Sequence, residues 1–131
     1  MALMGAEILF YPTAIGSEQY SGDSGFDSMR HWQNAMCGHA AANIVPVVAS
    51  NRIGTERGTV DTSLEMTFYG SSFISDQTGI KVAECDRTNQ CVITATFDLD
   101  EVYAHRRSWG VYRDRRPDLY GALQSLSGNV A

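Results

Sequence analysis

Glu7-Ile8-Leu9-Phe10-Tyr11-Pro12 is the stretch on which the fold turns. It is a short apolar run stopped by proline, too brief for a stable helix and suited to a buried strand. Before it stand Met1-Ala2-Leu3-Met4-Gly5, helix-forming residues with no Ser, Thr, Asp or Asn ahead to cap them. They read as the last turn of a helix whose start is missing, closed by a glycine. Helix end followed directly by strand is the repeating step of an α/β fold.

Working outward, residues 15–26 are rich in Gly and Ser and carry Glu18 and Asp23, which predicts a long loop leaving the C-terminal end of that strand. A helix follows, capped by Ser24 with Asp27 three residues on, or by Asp27 itself. Met29, Trp32, Met36 and Ala40 recur along it at intervals of three and four, so one face needs cover. Ile44-Val45-Pro46-Val47-Val48-Ala49 predicts a second buried strand, with Pro46 at its beginning or at a bulge because it cannot donate to a ladder. Ser50-Asn51-Arg52-Ile53-Gly54 ends it in a polar turn.

Further on, Ser72-Phe73-Ile74 and Ile80-Lys81-Val82-Ala83 flank Asp76-Gln77-Thr78-Gly79 as a hairpin, after an apolar piece at Met66-Thr67-Phe68-Tyr69-Gly70. Alternation over residues 92–97 predicts a further antiparallel strand. Residues 99–107 read as a helix ending in basic residues, and Pro117 opens a last short one. So few elements leave a sheet with an uncovered face or edge, as in part of a larger sandwich.

The 131 residues, 44% hydrophobic and 19% charged, fit one folded unit. A net charge of −5 argues against nucleic acid as main partner and favours a cationic small molecule or an ordinary surface. No apolar stretch approaches membrane-spanning length and no signal core is visible, so the expected setting is the cytoplasm, away from membranes.

Candidate chemistry is sparse. Cys37 lies inside the amphipathic helix and reads as a buried thiol. Cys85 and Cys91 bracket a polar turn without zinc spacing, and a reducing compartment disfavours a disulfide between them. His31 and His39 are too far apart along the helix for a shared metal, and His105 stands alone. Five of the ten basic residues fall between Arg106 and Arg116, but Asp114 and Asp118 interrupt them, which favours salt bridging over phosphate binding. The acidic loop with Glu18, Asp23 and Asp27 is the most informative polar feature, since ligands of α/β folds sit at such strand ends. Solvated charge is the plain alternative.

The run from Ala2 to Glu18, Ala2-Leu3-Met4-Gly5-Ala6-Glu7-Ile8-Leu9-Phe10-Tyr11-Pro12-Thr13-Ala14-Ile15-Gly16-Ser17-Glu18, closely resembles an amidase branch of the nitrilase superfamily of carbon–nitrogen hydrolases. So do His31-Trp32, Gly38-His39-Ala40, the block from Val48 to Gly54, the block from Phe68 to Ile74, and Ser108-Trp109-Gly110-Val111-Tyr112-Arg113-Asp114-Arg115-Arg116-Pro117 with the residues to Tyr120. The resemblance implies an αββα sandwich, of which residues 1–131 form the C-terminal part, and hydrolysis of a terminal carbamoyl group to give putrescine, carbon dioxide and ammonia. It implies no metal or organic cofactor and a homo-oligomer. The family's cysteine nucleophile, glutamate base and lysine all lie upstream of the matching block, so no catalytic residue is expected here and the isolated chain should be inactive. What remains is one pocket wall at Pro12, Thr13 and Ala14, with Glu18 inferred from its charge to meet the substrate ammonium. The competing expectation is a non-catalytic binding or assembly module derived from the same fold.

Overall fold

The computed structural model describes residues 1–18, 27–60 and 65–129. Its first layer is a four-stranded sheet in the order β1 (Leu9–Pro12), β3 (Val47–Ser50), β6 (Phe73–Ser75), β7 (Lys81–Glu84). β1 and β3 run parallel, with Leu9 beside Val47 and Pro12 beside Ser50, and the other two pairs are antiparallel. Pro12 is tolerated because β1 is an edge strand, and Pro46 falls just before β3. Its carbonyl accepts the Leu9 amide at 3.0 Å.

Helix α1 (Met29–Asn43) covers one face of this sheet. Trp32 packs with Ala49 and Phe73, Ala40 with Leu9, Val45 and Val47, and the half-buried Met36 touches both groups. The Trp32 and Phe73 rings meet edge to face at 5.7 Å, a favoured aromatic geometry. Phe10, 68% exposed, stands on the other face with its ladder neighbour Val48. The uncovered face expected from the sequence is therefore present.

Helix α1 starts later than either capping expectation, its cap one residue beyond Asp27. Ser28 is the cap residue, while Asp27 accepts the Met29 amide at 3.0 Å; Ser24 lies outside the described residues. At its far end Ile44 turns left-handed, and the last carbonyls gain donors from the C-terminal region. Arg106 donates to Ile44 O at 3.0 Å, and Tyr112 Oη donates to Asn43 O at 3.2 Å. Arg106 belongs to α2 (Leu99–Trp109), whose first amides are held by Asp98 and whose last turn carries the expected arginines. Pro117 does open a short 3-10 turn, Pro117–Leu119.

Three expectations are corrected. The chain after Ile15 is not loop from the outset: Gly16–Glu18 forms β2, which joins β5 (Glu65–Phe68) and β4 (Thr55–Arg57) in a second, antiparallel sheet. Gly16 makes this closeness feasible, since a Cβ there would lie 2.3 Å from Thr67 O. The Thr55–Thr67 and Arg57–Glu65 cross-strand pairs tie β4 to β5, so the apolar piece at residues 66–70 and the hairpin that follows sit in different sheets. Residues 92–97 form no strand. Asp86 accepts the Thr88 and Asn89 amides and so turns the chain away from the β7 edge, leaving Val92 91% exposed. Lastly, Cys85 and Cys91 are paired as a disulfide across this turn, their Cα atoms 6.3 Å apart, a spacing that disulfides commonly show.

Candidate functional site

Because β3 runs with β1 and against β6, while β7 runs against β6, four segments converge at one end of the first sheet: those after Pro12, after Ser50, before Phe73 and after Glu84. The first contains Pro12, Thr13 and Ala14, the predicted pocket wall. Thr13 N–H donates to Ser50 O at 2.8 Å and its hydroxyl to Tyr11 O at 3.0 Å, while Pro12 and Ala14 face solvent. Glu18 lies in β2 opposite Met66. Asp23 lies outside the described residues.

Asn51 joins these segments. Its Oδ1 accepts the Ile15 amide, and its Nδ2 donates to Ile15 O and to Gly70 O, each at 3.0 Å. Its backbone N–H donates to Ser72 Oγ at 2.9 Å, and Ser72 Oγ returns a bond to Asn51 O at 3.2 Å. Tyr69 N–H reaches Ile15 O at 3.2 Å, and Gly70 N–H reaches Arg52 O at 2.9 Å.

The segment at residues 69–72 is also held from beneath. Ser71 is buried and sits at φ 56°, an uncommon conformation for a residue with a side chain. Asp86 O accepts its amide at 2.9 Å, and the buried Gln33 of α1 donates to its carbonyl at 3.1 Å. Gln33 also donates to Glu84 at 2.6 Å and accepts from Lys81 at 2.9 Å, so every polar atom of this buried amide is engaged. Burial raises the proton affinity of Glu84, but the bonds from Lys81 and Gln33 outweigh it and leave the carboxyl below its usual range. Gly70 fits only as glycine: its φ is 58°, and a Cβ would stand 2.5 Å from Arg87 O.

Two clefts flank this bracing. One, of about 310 Å³, is lined by Asn51, Arg52, Gly70 and Ser72 with the disulfide turn. The other, of about 470 Å³, is lined by Ser17, Asp27, Thr67, Tyr69 and Arg87. Asp27 is no free anion there. It accepts from Arg87 Nη2 at both oxygens, 2.9 and 2.7 Å, and the Met29 amide and that guanidinium hold its carboxyl below the ordinary range. Asp27 is thus already engaged by Arg87 at the rim of this cleft.

The remaining candidates fall away from this end. Cys37 is half-buried against Trp32, Ala49 and Phe73, and burial pushes its thiol up, against thiolate formation. His39 stacks on Tyr11, and His105 meets Trp109 edge to face. Among the described residues no group of three His, Cys, Asp or Glu could hold a metal ion, and no helix is long and apolar enough to cross a membrane. The arginine cluster is divided as its acidic neighbours predicted: Arg113 pairs with Asp114, Arg116 with Asp118, and Arg107 lies over Tyr103.

Sequence reasoning missed Asn51, Gln33, Tyr69 and Arg87. Asn51 and Tyr69 carried a signal, each standing directly after a strand end in a block already singled out; a glutamine on the core side of α1 looks like any surface amide.

The family model described as carbon-nitrogen hydrolase matches residues 1–107. The chain belongs to the carbon–nitrogen hydrolase family. It is 56% identical over 133 residues to N-carbamoylputrescine amidase of Arabidopsis thaliana, covering 99% of this chain and 43% of that protein. It is also 56% identical over 123 residues to a citrullinase of Francisella tularensis, covering 94% of this chain and 41% of the other. Among solved structures, a carbon-nitrogen hydrolase from Helicobacter pylori G27 superimposes with a TM-score of 0.83 at 38% identity, covering 96% of this hydrolase chain and 43% of its own. The α/β architecture is thus part of the nitrilase-type fold. The chain spans less than half the length of the curated relatives it matches.

Proposed function

We propose that this hydrolase chain supplies one wall of a pocket that takes a short aliphatic amine bearing a terminal carbamoyl group, and that its whole protein hydrolyses that group. Two relatives of equal identity support this reading. N-carbamoylputrescine and citrulline share a ureido end and an amine-bearing chain, so the common chemistry is C–N cleavage next to a carbamoyl carbon. Such acyl transfer needs a nucleophile, a base and an oxyanion donor held together. On this reading those groups come from the portion of the relatives that the chain does not span. Residues 12–14 then bound the pocket, and Glu18 offsets the hydration that the substrate ammonium loses on entry.

The test joins residues 1–131 to the portion of the Arabidopsis thaliana amidase that the match leaves out and follows ammonia release. The joined enzyme should turn over N-carbamoylputrescine, and the isolated chain should show only background. Release by the isolated chain that disappears in Cys37→Ser would overturn this division of labour.

A further inference from the structure

Pro12 and Ala14 are exposed, so the placement of residues 12–14 depends on the bonds along the segment. At one end Thr13 N–H bonds Ser50 O; at the other, Ile15 gives its N–H and its C=O to a single side chain, Asn51. The spare N–H of the same carboxamide reaches Gly70 O, in the segment whose Tyr69 amide returns to Ile15 O. We propose that Asn51 is the positioning residue of the pocket, its carboxamide locking the exit of β1 to residues 69–70 so that Pro12, Thr13 and Ala14 stand in one place. This rests on the reading of residues 12–14 as pocket wall.

The chemistry of the group is what the geometry requires. Ile15 presents a donor and an acceptor side by side, and Gly70 adds a second acceptor. A carboxamide answers all three with one acceptor and two donors. A carboxylate of the same size still accepts from Ile15 but turns a negative charge toward two carbonyl oxygens. A protonated carboxylic acid regains one donor and with it the paired contact to Ile15. Leucine, similar in size, answers none.

Amide hydrogen exchange on the full chain separates positioning from a merely local bond. The Thr13 and Tyr69 amides bond Ser50 O and Ile15 O, not Asn51, while the Leu9 amide, on Pro46 O at the opposite end of β1, serves as control. In Asn51→Leu and in Asn51→Asp at neutral pH, Thr13 and Tyr69 should lose protection by about tenfold or more, with Leu9 unchanged. In Asn51→Asp, protection should return on acidification to about pH 4, where the new carboxyl protonates. The charged residues lining the same cleft are Arg52, already paired with Glu56, and Asp86, whose carboxyl titrates at about 2 and stays ionised over that range. Should Asn51→Leu fail to fold, the pH dependence of Asn51→Asp decides by itself. Unchanged Thr13 and Tyr69 exchange overturns the proposal. In the joined enzyme, Asn51→Asp should lower kcat/KM at least about tenfold at neutral pH. A loosened segment with kcat/KM intact would mean that the brace exists but residues 12–14 lie outside the pocket, which overturns the reading of the wall instead.

Discussion

Asp27 and Arg87, sixty positions apart, meet at the rim of the larger cleft with one guanidinium nitrogen shared between both carboxylate oxygens. Arg87 also lies over the Tyr69 ring, and the Tyr69 hydroxyl accepts the Ser28 amide at 3.1 Å. The start of α1 is therefore tied to the segment that Asn51 braces. Both ion-pair side chains are about half exposed, so Asp27→Asn should cost under ~1 kcal/mol at neutral pH. The folded-state carboxyl lies below 3.8, so its contribution is full above that value and fades as pH falls through the lowered one. Urea denaturation should show a difference between wild type and variant at neutral pH that shrinks as pH falls through the lowered carboxyl value.

The proposed pairing of Glu18 with the substrate ammonium has a kinetic signature. In the joined enzyme, Glu18→Gln should raise KM for N-carbamoylputrescine by ~1.5–3 kcal/mol more than for a neutral carbamoyl analogue, if the contact is a charge-assisted hydrogen bond. Parallel kinetics on the two substrates check this. Equal losses would place the ammonium partner elsewhere.

Gly16 sets the approach of β2 to β5. With Thr67 O at 2.3 Å from the position of an added Cβ, Gly16→Ala should cost about 1–3 kcal/mol by overpacking and displace Glu18 with its strand. Thermal melting reads the first effect. The second appears as a rise in KM in the joined enzyme of the same substrate preference as Glu18→Gln.

Two buried polar residues should respond oppositely to loss of their polar atoms. Ser75 Oγ is buried with no hydrogen-bond partner among the described residues, so Ser75→Ala should be neutral or stabilising by up to ~1 kcal/mol. Gln33→Leu removes the bonds from Gln33 to Ser71 O and Glu84 and the one it accepts from Lys81 and should cost about 1–3 kcal/mol. Chemical denaturation of both variants tests the contrast, and equal destabilisation would contradict the bonding described for Gln33.

Local chemistry made much of this chain legible. Pro12 and Pro46 bound strands because neither can donate to a ladder, the terminal arginines mark the end of α2, and Asp76 to Gly79 turn the hairpin. The spacing of Trp32, Met36 and Ala40 announced the face of α1 that covers the sheet. The family blocks located residues 12–14 at a strand's C-terminal end. Each of these signals acts within a few residues.

The rest depended on partners far along the chain. Gly16–Glu18 became a strand because Met66 to Phe68 lie alongside, and residues 92–97, with better strand composition, stayed out because Asp86 and the Cys85–Cys91 link carry them off the sheet edge. The role of Asn51 came from two carbonyls and an amide at residues 15 and 70, and the commitment of Asp27 from an arginine sixty residues away. Sequence alone determined which groups were available to bond; only the packed structure decided which were already taken, because hydrogen bonds and ion pairs reach about 3 Å in space, however far apart their partners lie in the chain.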